Sequence, residues 1–284
     1  MPVVDDLPHE PYRDGTRDDF RWRLGVRPLD PADWFVRGPD AEGWIAEKAH
    51  ILDEHHDTAF AAIPGIEDEA GEVAEAIVAH LCRRGDPVEL DPSPHPLEAA
   101  SRLVAEDLVL MVEREGRLVF GGGSVCFPNR WDLRSKLGRT MREVHEPVAL
   151  LNDQLGDPVD GFLGRLRPEQ SYWRLGWGII DVPDGYTPTD GSGPVRPERP
   201  APDDLYVRVE RETLRRFPRT RALLFTIRTF VAPLPVVAAD EEARRRLAVM
   251  IESMPDPVRA YKDLTTLGGD VVEFLGTSPD SHLT

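Results

Sequence analysis

The sequence predicts an α+β protein in which a five-stranded antiparallel sheet is flanked by N- and C-terminal helices. Three observations predict it: apolar residues at helical spacing before residue 106 and after 233, five strand-like runs between them, and a hairpin signal at Glu115-Gly116. Residues 41–56 and 67–84 carry helical patterning, with Ile66, Val73, Ile77, Val78 and Leu81 forming a stripe, and 96–106 reads as a further short helix. Strand-like runs follow at 108–114 and 117–127, joined at Glu115-Gly116, where glycine suits a tight turn. Residues 133–166 return to helical composition. Three more strand runs lie at 174–182, 205–211 and 222–231, and helices at 241–253, 257–264 and 270–275 close the chain. The 27 prolines and 23 glycines thicken at 86–97 and 183–202, which therefore read as loops. One domain over 1–284 is expected, with a helical part at 1–105, a sheet core at 106–232 and C-terminal helices at 233–284.

Two strands, a helical excursion and three more strands is the order of a PAS-like fold, whose sheet cups a ligand under the intervening helices. The order by itself leaves other α+β folds open.

Fifty-one acidic residues against 34 basic ones give a net charge of −17, a field that repels nucleic acid and anionic membrane surfaces. Two cysteines, Cys82 and Cys126, cannot build a disulfide framework, a four-Cys zinc site or a Cys-ligated iron–sulfur cluster, and they suit a reducing compartment. The start Met1-Pro-Val-Val-Asp-Asp6 lacks a signal-peptide pattern, and no apolar run approaches the ~20 residues that span a bilayer. A cytoplasmic protein without a membrane partner is expected. Gly121-Gly-Gly-Ser-Val-Cys126 lacks the Lys-Ser/Thr of a phosphate loop and reads as a bulge or a close approach of backbones. No Gly-x-Gly-x-x-Gly follows a strand, so a dinucleotide site is unsupported. Glu47-x-x-His50 and Asp53-x-x-His56 sit on one helix, about 240° apart around it, and cannot converge on a metal pair.

Basic residues are focused in two places. Residues 130–145 are net +3, through Arg130, Arg134, Lys136, Arg139 and Arg142, and residues 205–228 are net +5 through seven arginines. Such foci in an acidic protein suit a small anionic ligand, or else surface salt-bridge networks. Alternation puts Tyr206, Arg208 and Glu210 on one face of their strand and Thr226 and Arg228 on the polar face of the next. If these two faces coincide and are enclosed, they form a binding constellation; if solvated, they are ordinary surface. His145 lies late in the inter-strand helical segment, between the basic stretch and Pro147. There a PAS-like fold can offer an axial haem ligand, with Lys and Arg of the same segment reaching the propionates; an interface histidine is the alternative.

Several blocks carry a resemblance: Phe20-Arg-Trp-Arg-Leu-Gly25, Asp30-x-x-Asp-Trp34, Gly123-Ser-Val-Cys-Phe-Pro128, Trp131 with Lys136-x-Gly138, Val144-His-Glu-Pro-Val148, the run from Leu205 to Arg219, Thr226-Ile-Arg-Thr-Phe230 and Tyr261-Lys262. They resemble the haem-dependent oxidative N-demethylases of the α-subunit type, related to dimethylamine monooxygenase. The resemblance implies a PAS-like domain holding haem b iron, here through His145, with Lys136, Arg139, Arg142 and Trp131 around the cofactor. It implies oxidation of a small secondary amine by O₂ to a primary amine and formaldehyde, with Glu210, Arg208, Arg228 and Thr226 as the catalytic set. NADPH, flavin and an iron–sulfur cluster would belong to a separate reductase, and homo- or hetero-oligomers are compatible with it. The chain departs from the family where Gly176 stands in Arg174-Leu-Gly-Trp177 in place of an amide side chain, and where Ala149 follows Pro147-Val148. A non-catalytic haem or small-ligand sensor, or an oligomeric binding module without haem, are the competing readings.

Overall fold

A computed structural model describes residues 3–4, 7–13, 20–38, 40–92, 94–198 and 200–276; most of the start read above and residues 277–284 lie outside the described residues. One antiparallel sheet runs through the molecule. Its strands are β1 (Arg27–Pro28), β2 (Phe60–Ala62), β3 (Asp107–Arg114), β4 (Arg117–Ser124), β5 (Ser171–Ile180), β6 (Tyr206–Arg216) and β7 (Leu223–Pro233). The spatial order is β1-β5-β6-β7-β3-β4-β2. The expected count of five is thus corrected to seven among the described residues. Both additional strands come from the N-terminal part read as helical, and they are edge pieces too short for alternation to reveal: β1 on β5, β2 on β4.

The N-terminal helices are α1 (Ala41–Glu54), α2 (His56–Ala59), α3 (Glu67–Arg83) and α4 (Pro96–Ser101). Helix α3 forms where expected because Ala70, Val73, Ala74, Ile77 and Leu81 make one buried stripe, while Glu67, Asp68 and Glu69 in its first turn and Arg83 in its last complement the helix dipole. Between β4 and β5 lie α5 (Met141–Val144), closed by a Thr140–Glu143 capping box, and α6 (Leu151–Arg165). The chain ends in α7 (Leu234–Ala238), α8 (Glu241–Glu252), α9 (Asp256–Tyr261) and α10 (Leu264–Gly276). Among the described residues no helix is long and apolar enough to cross a membrane.

Pairing fixes two faces. Glu210 lies opposite Gly176 of β5 and Thr229 of β7, so Arg174, Gly176 and Gly178, then Arg208, Glu210 and Glu212, then Phe225, Ile227 and Thr229 share the front face. The back face carries Val207, Val209, Arg211 and Thr213 with Phe230, Arg228 and Thr226. Two apolar clusters cover the back. One joins Leu108, Leu110 and Leu224 to Trp44, Ile77 and Leu97 of the N-terminal helices, and the other joins Val207, Val209 and Phe230 to Leu247, Ile251 and Val271 of the C-terminal ones. The front cluster is smaller, packing Val109, Met111, Leu214 and Leu223 under Leu133 and Leu163.

Glu115 and Gly116, at φ 53° and 75°, make the expected hairpin turn. The triple glycine is both things the sequence suggested. The β3–β4 register shifts between Leu110 and Met111, leaving Gly121 as the extra residue, and Gly122 lies against the β2 backbone. A Cβ on Gly121 would come within 2.8 Å of a Val112 methyl and 3.3 Å of the Leu110 carbonyl. Gly121→Ala should therefore cost about 1–3 kcal/mol in urea denaturation. Gly164→Ala, in α6 with nothing within 4 Å of the added Cβ, should instead gain about 0.5–1 kcal/mol.

Candidate functional site

Strands β5, β6 and β7 sit inside the sheet, where both faces are ordinarily covered. Their back-face side chains are largely buried, while Arg174, Gly176, Glu210, Phe225 and Ile227 of the front face are partly exposed and the Glu212 side chain is 12% exposed. The α5–α6 connection covers only the part of the front nearest Leu214 and Leu223. The half-exposed stretch is flanked by His145, at the C-terminus of α5, and on its outer side by Tyr261 and Lys262 at the end of α9.

His145 is half-buried, and among the described residues its ring makes no hydrogen bond or ion pair. Burial, then the neighbouring cations Arg174 and Lys136, hold its pKa down to about 4, so the imidazole is neutral at pH 7 with a lone pair to donate. Lys136 is largely buried and donates Nζ to the Val144 carbonyl at 3.1 Å, one residue before His145. Arg139 is exposed. Arg142 turns away: it is tied to Asp157 and, at 2.6 Å, Asp160 of α6. Trp131 packs at the edge of the front cluster with Leu137, Met141, Val144 and Phe225.

On β6, Arg208 is buried and donates Nε to Glu210 Oε1 at 2.8 Å, with a second nitrogen on the Phe127 carbonyl and Thr229 Oγ1. Arg228 and Thr226 do not join them. The expectation that they share Glu210's face is corrected by register, since Arg228 pairs with Arg211 and Thr226 with Thr213 on the back. There Arg228 is fully buried, donating to Asp40 at 2.6 Å between the Trp44 and Phe230 rings, and Thr226 meets Thr213 at 2.6 Å. Other arginines of the basic run disperse likewise: Arg211 to the Asp33 and Trp34 carbonyls, Arg215 over Trp34, Arg216 to the Leu163 carbonyl and Arg219 to Glu75. The charge focus at 205–228 is therefore a structural mesh, spread over both faces.

Three charged groups near Glu210, namely Glu212, Arg174 and Lys262, have no role in the sequence-based expectation. Glu212 ion-pairs with Arg174 Nε at 3.2 Å, yet burial and then Glu210 push its pKa up to about 7 against that attraction. Lys262 donates to the Trp177 carbonyl at 2.8 Å between the Trp22 and Trp177 rings; burial, opposed by Glu210, brings it down to about 8. Extending the alternation of Arg208 and Glu210 by two residues would have found Glu212. The expected strand ended at Arg211 because Glu-Thr-Leu-Arg-Arg reads as polar, whereas β6 runs to Arg216.

Among the described residues no cluster of three or more His, Cys, Asp or Glu could hold a metal ion. His50 pairs with Glu54 and His56 with Glu98. A haem needs one strong protein ligand, an apolar slot and cations for its carboxylates. Neutral His145, the half-buried Trp131, Met141 and Phe225, and the cations Lys136 and Arg139 are of the right chemistry to hold it.

The Glu212 carboxyl binds more protons folded than unfolded between its ordinary range and about pH 7, so its contribution to stability falls as pH rises through that window. Glu212→Gln should stabilise the protein by on the order of 1–3 kcal/mol at pH 8, a gain that shrinks below pH 5 in urea titrations at both pH values.

Residues 85–272, roughly two thirds of the chain, match the family model described as haem-dependent oxidative N-demethylase, alpha subunit-like. The matched stretch runs from before α4 into α10 and includes His145, Arg174, Arg208, Glu210, Glu212 and Lys262. It carries with it an oxidoreductase class, dependence on haem and, from the alpha-subunit designation, a partner subunit. This chain, with its half-exposed sheet face set between a neutral histidine and two arginine-bound carboxylates, belongs to the haem-dependent oxidative N-demethylase, alpha subunit-like family.

Proposed function

We propose that this chain is the haem-binding, amine-oxidising subunit of a monooxygenase that removes a methyl group from a small secondary amine such as dimethylamine. One oxygen atom of O₂ ends in formaldehyde and the other in water, with electrons from a separate NADPH-dependent reductase carrying flavin and an iron–sulfur cluster. The observation that carries the reading is the half-exposed centre of the front face, bounded by neutral His145 and by Glu210 and Glu212. The order of the long strands, β5-β6-β7-β3-β4, with the α5–α6 excursion lying over the front, supports a PAS-like core. That β1 and β2 join the same sheet supports one unit over 1–284.

His145 would ligate the iron, Lys136 and Arg139 would reach the carboxylates, and Trp131, Met141 and Phe225 would line the slot. Arg142 keeps its place as a third candidate anchor only if it leaves Asp157 and Asp160. Haem held there supplies the activation of O₂ by electrons delivered one at a time. The chain's own residues then have two tasks. Glu210, held in place by the Arg208 guanidinium, receives the protonated amine and orients its methyl group. Apolar Ile227, opposite Glu212, and Phe225, opposite Leu214, exclude water from that side of the front face. Arg228 and Thr226, on the back face, support β6 from behind by holding β7 to α1 and to Thr213.

The purified protein should show a Soret band, and His145→Ala should abolish it or shift it to another ligation state. With reductase and NADPH, dimethylamine should release formaldehyde, and Glu210→Gln should keep the band while losing most of that release. A colourless wild-type protein overturns the reading; a haem protein that releases no formaldehyde is a sensor instead.

A further inference from the structure

Two residues next to the flanks of the front face adopt a backbone conformation that side chains resist. Arg130, one before Trp131, has φ 55°, and Asp263, one after Lys262, has φ 57°. They meet in a ring of alternating charge. Arg130 donates to Asp181 and, at 3.4 Å, to Asp263, while Arg196 donates to Asp181 at 2.8 Å and to Asp263 at 3.2 Å. Asp181 directly follows β5, and its side chain is only 2% exposed. Burial raises its pKa, but the hydrogen bonds from Arg196 and Arg130 outweigh that and hold the carboxyl below its usual range. Arg196 lies in the proline- and glycine-rich stretch after β5. The first part of that stretch is anchored: the Thr187 carbonyl accepts from the Arg130 amide at 3.0 Å, the Thr187 hydroxyl donates to the Pro128 carbonyl at 2.6 Å, and Tyr186 stacks on His55. Residues 194–198 are exposed, Val195 at 93%, so apolar burial does little to hold them. Arg196 ties them down.

We propose that Arg130, Asp181, Arg196 and Asp263 form an ionic clasp that draws the two flanks of the front face together and slows the escape of what is bound between them. One flank is Trp131, packed with Met141, Val144 and Phe225; the other is Tyr261 with Lys262, which is held to the Trp177 carbonyl at 2.8 Å. Arg130 and Asp263 adjoin these flanks in sequence, so the bonds between them and through Arg196 and Asp181 fix how far the flanks stand apart. The clasp can open because water reaches three of its members: the Arg130 side chain is 22% exposed, and those of Arg196 and Asp263 nearly half. Salt weakens it for the same reason, the Debye length falling to about 3 Å at about 1 M. Losing the Arg196 charge would release the exposed stretch and leave buried Asp181 with one cation in place of two. The clasp itself stands on these four residues; its hold on haem rests on the N-demethylase reading.

Hydrogen–deuterium exchange of the purified protein reads the clasp apart from turnover. Arg196→Gln and Asp263→Asn each remove one charge, and asparagine tolerates the left-handed backbone at 263, so the second variant adds no strain there. At low salt, peptides covering 194–198 and 261–264 should exchange about two- to fivefold faster in either variant than in the wild type. About 1 M NaCl should bring the wild type close to the variants while changing the variants little. In the double variant the two effects should fall short of adding, as groups in one network do. Capture of haem from the loaded protein by excess apomyoglobin should speed up by a similar factor, with the Soret band unmoved because His145 is untouched. Melting temperatures report that the variants are folded. Unchanged exchange in both folded variants overturns the clasp, and so does faster exchange with haem capture unaltered. A colourless protein whose exchange still responds to these charges and to salt keeps the clasp and removes the haem reading; a haem protein in which neither exchange nor capture responds does the reverse.

Discussion

Everything at the site depends on the register of β6 between its two neighbours. From Tyr206 to Arg215 this strand is paired with β5 on one side and with β7 on the other. Side chains alternate with period two, so a slip of one residue would carry Glu210 and Glu212 to the back and bring Arg211 to the front. The register is held from both sides. On the back, Val207 and Val209 are buried against the C-terminal helices and Thr213 bonds Thr226; beyond the end of β6, Glu72 of α3 accepts from the Arg219 and Thr220 amides at 3.0 and 2.8 Å. A strand so pinned can carry charge on its other face without sliding.

That charge is expensive to bury, and the fold meets the cost with specific partners. Arg208, Arg211, Arg216 and Arg228 are each at most 5% exposed, and all four donate to carbonyl or carboxylate oxygens. Arg228, for example, binds Asp40 at the start of α1 and so ties the N-terminal helices to the sheet centre. Glutamates on the front face are treated differently. Each is given one arginine within the chain, Arg208 for Glu210 and Arg174 for Glu212. The buried arginines and the front-face glutamates of this sheet therefore differ in the number of contacts supplied within the chain.

Coverage of the two faces is unequal for a reason visible in the helices. α3 and α8 present continuous apolar stripes, Val73-Ile77-Leu81 and Leu247-Ile251, and seat firmly on the back. The α5–α6 connection has no comparable stripe over β5–β7: α5 is a single turn, and α6 carries Pro158 and buries only Leu151, Gly156 and Leu163. An element so poor in apolar surface cannot cover the whole front, and the half-exposed Phe225 and Ile227 follow from it.

The local elements were legible in the residues. The α3 stripe, the Glu115-Gly116 turn and the bulge at the triple glycine are fixed by side-chain periodicity and backbone sterics within a few residues, and they fell where the pattern put them. Glu210, Arg208 and His145 were also nameable, because a charge on an apolar strand and a histidine before a proline stand out from their neighbours. What the residues did not determine was which faces coincide. Alternation settles the two sides of one strand, while the relation between strands depends on register, and register on contacts more than a hundred residues away, such as Glu72 with Thr220 and Arg228 with Asp40. Only the tertiary structure could therefore separate Arg228 and Thr226 from Glu210, and bring Arg174, Gly176 and Glu212 to it.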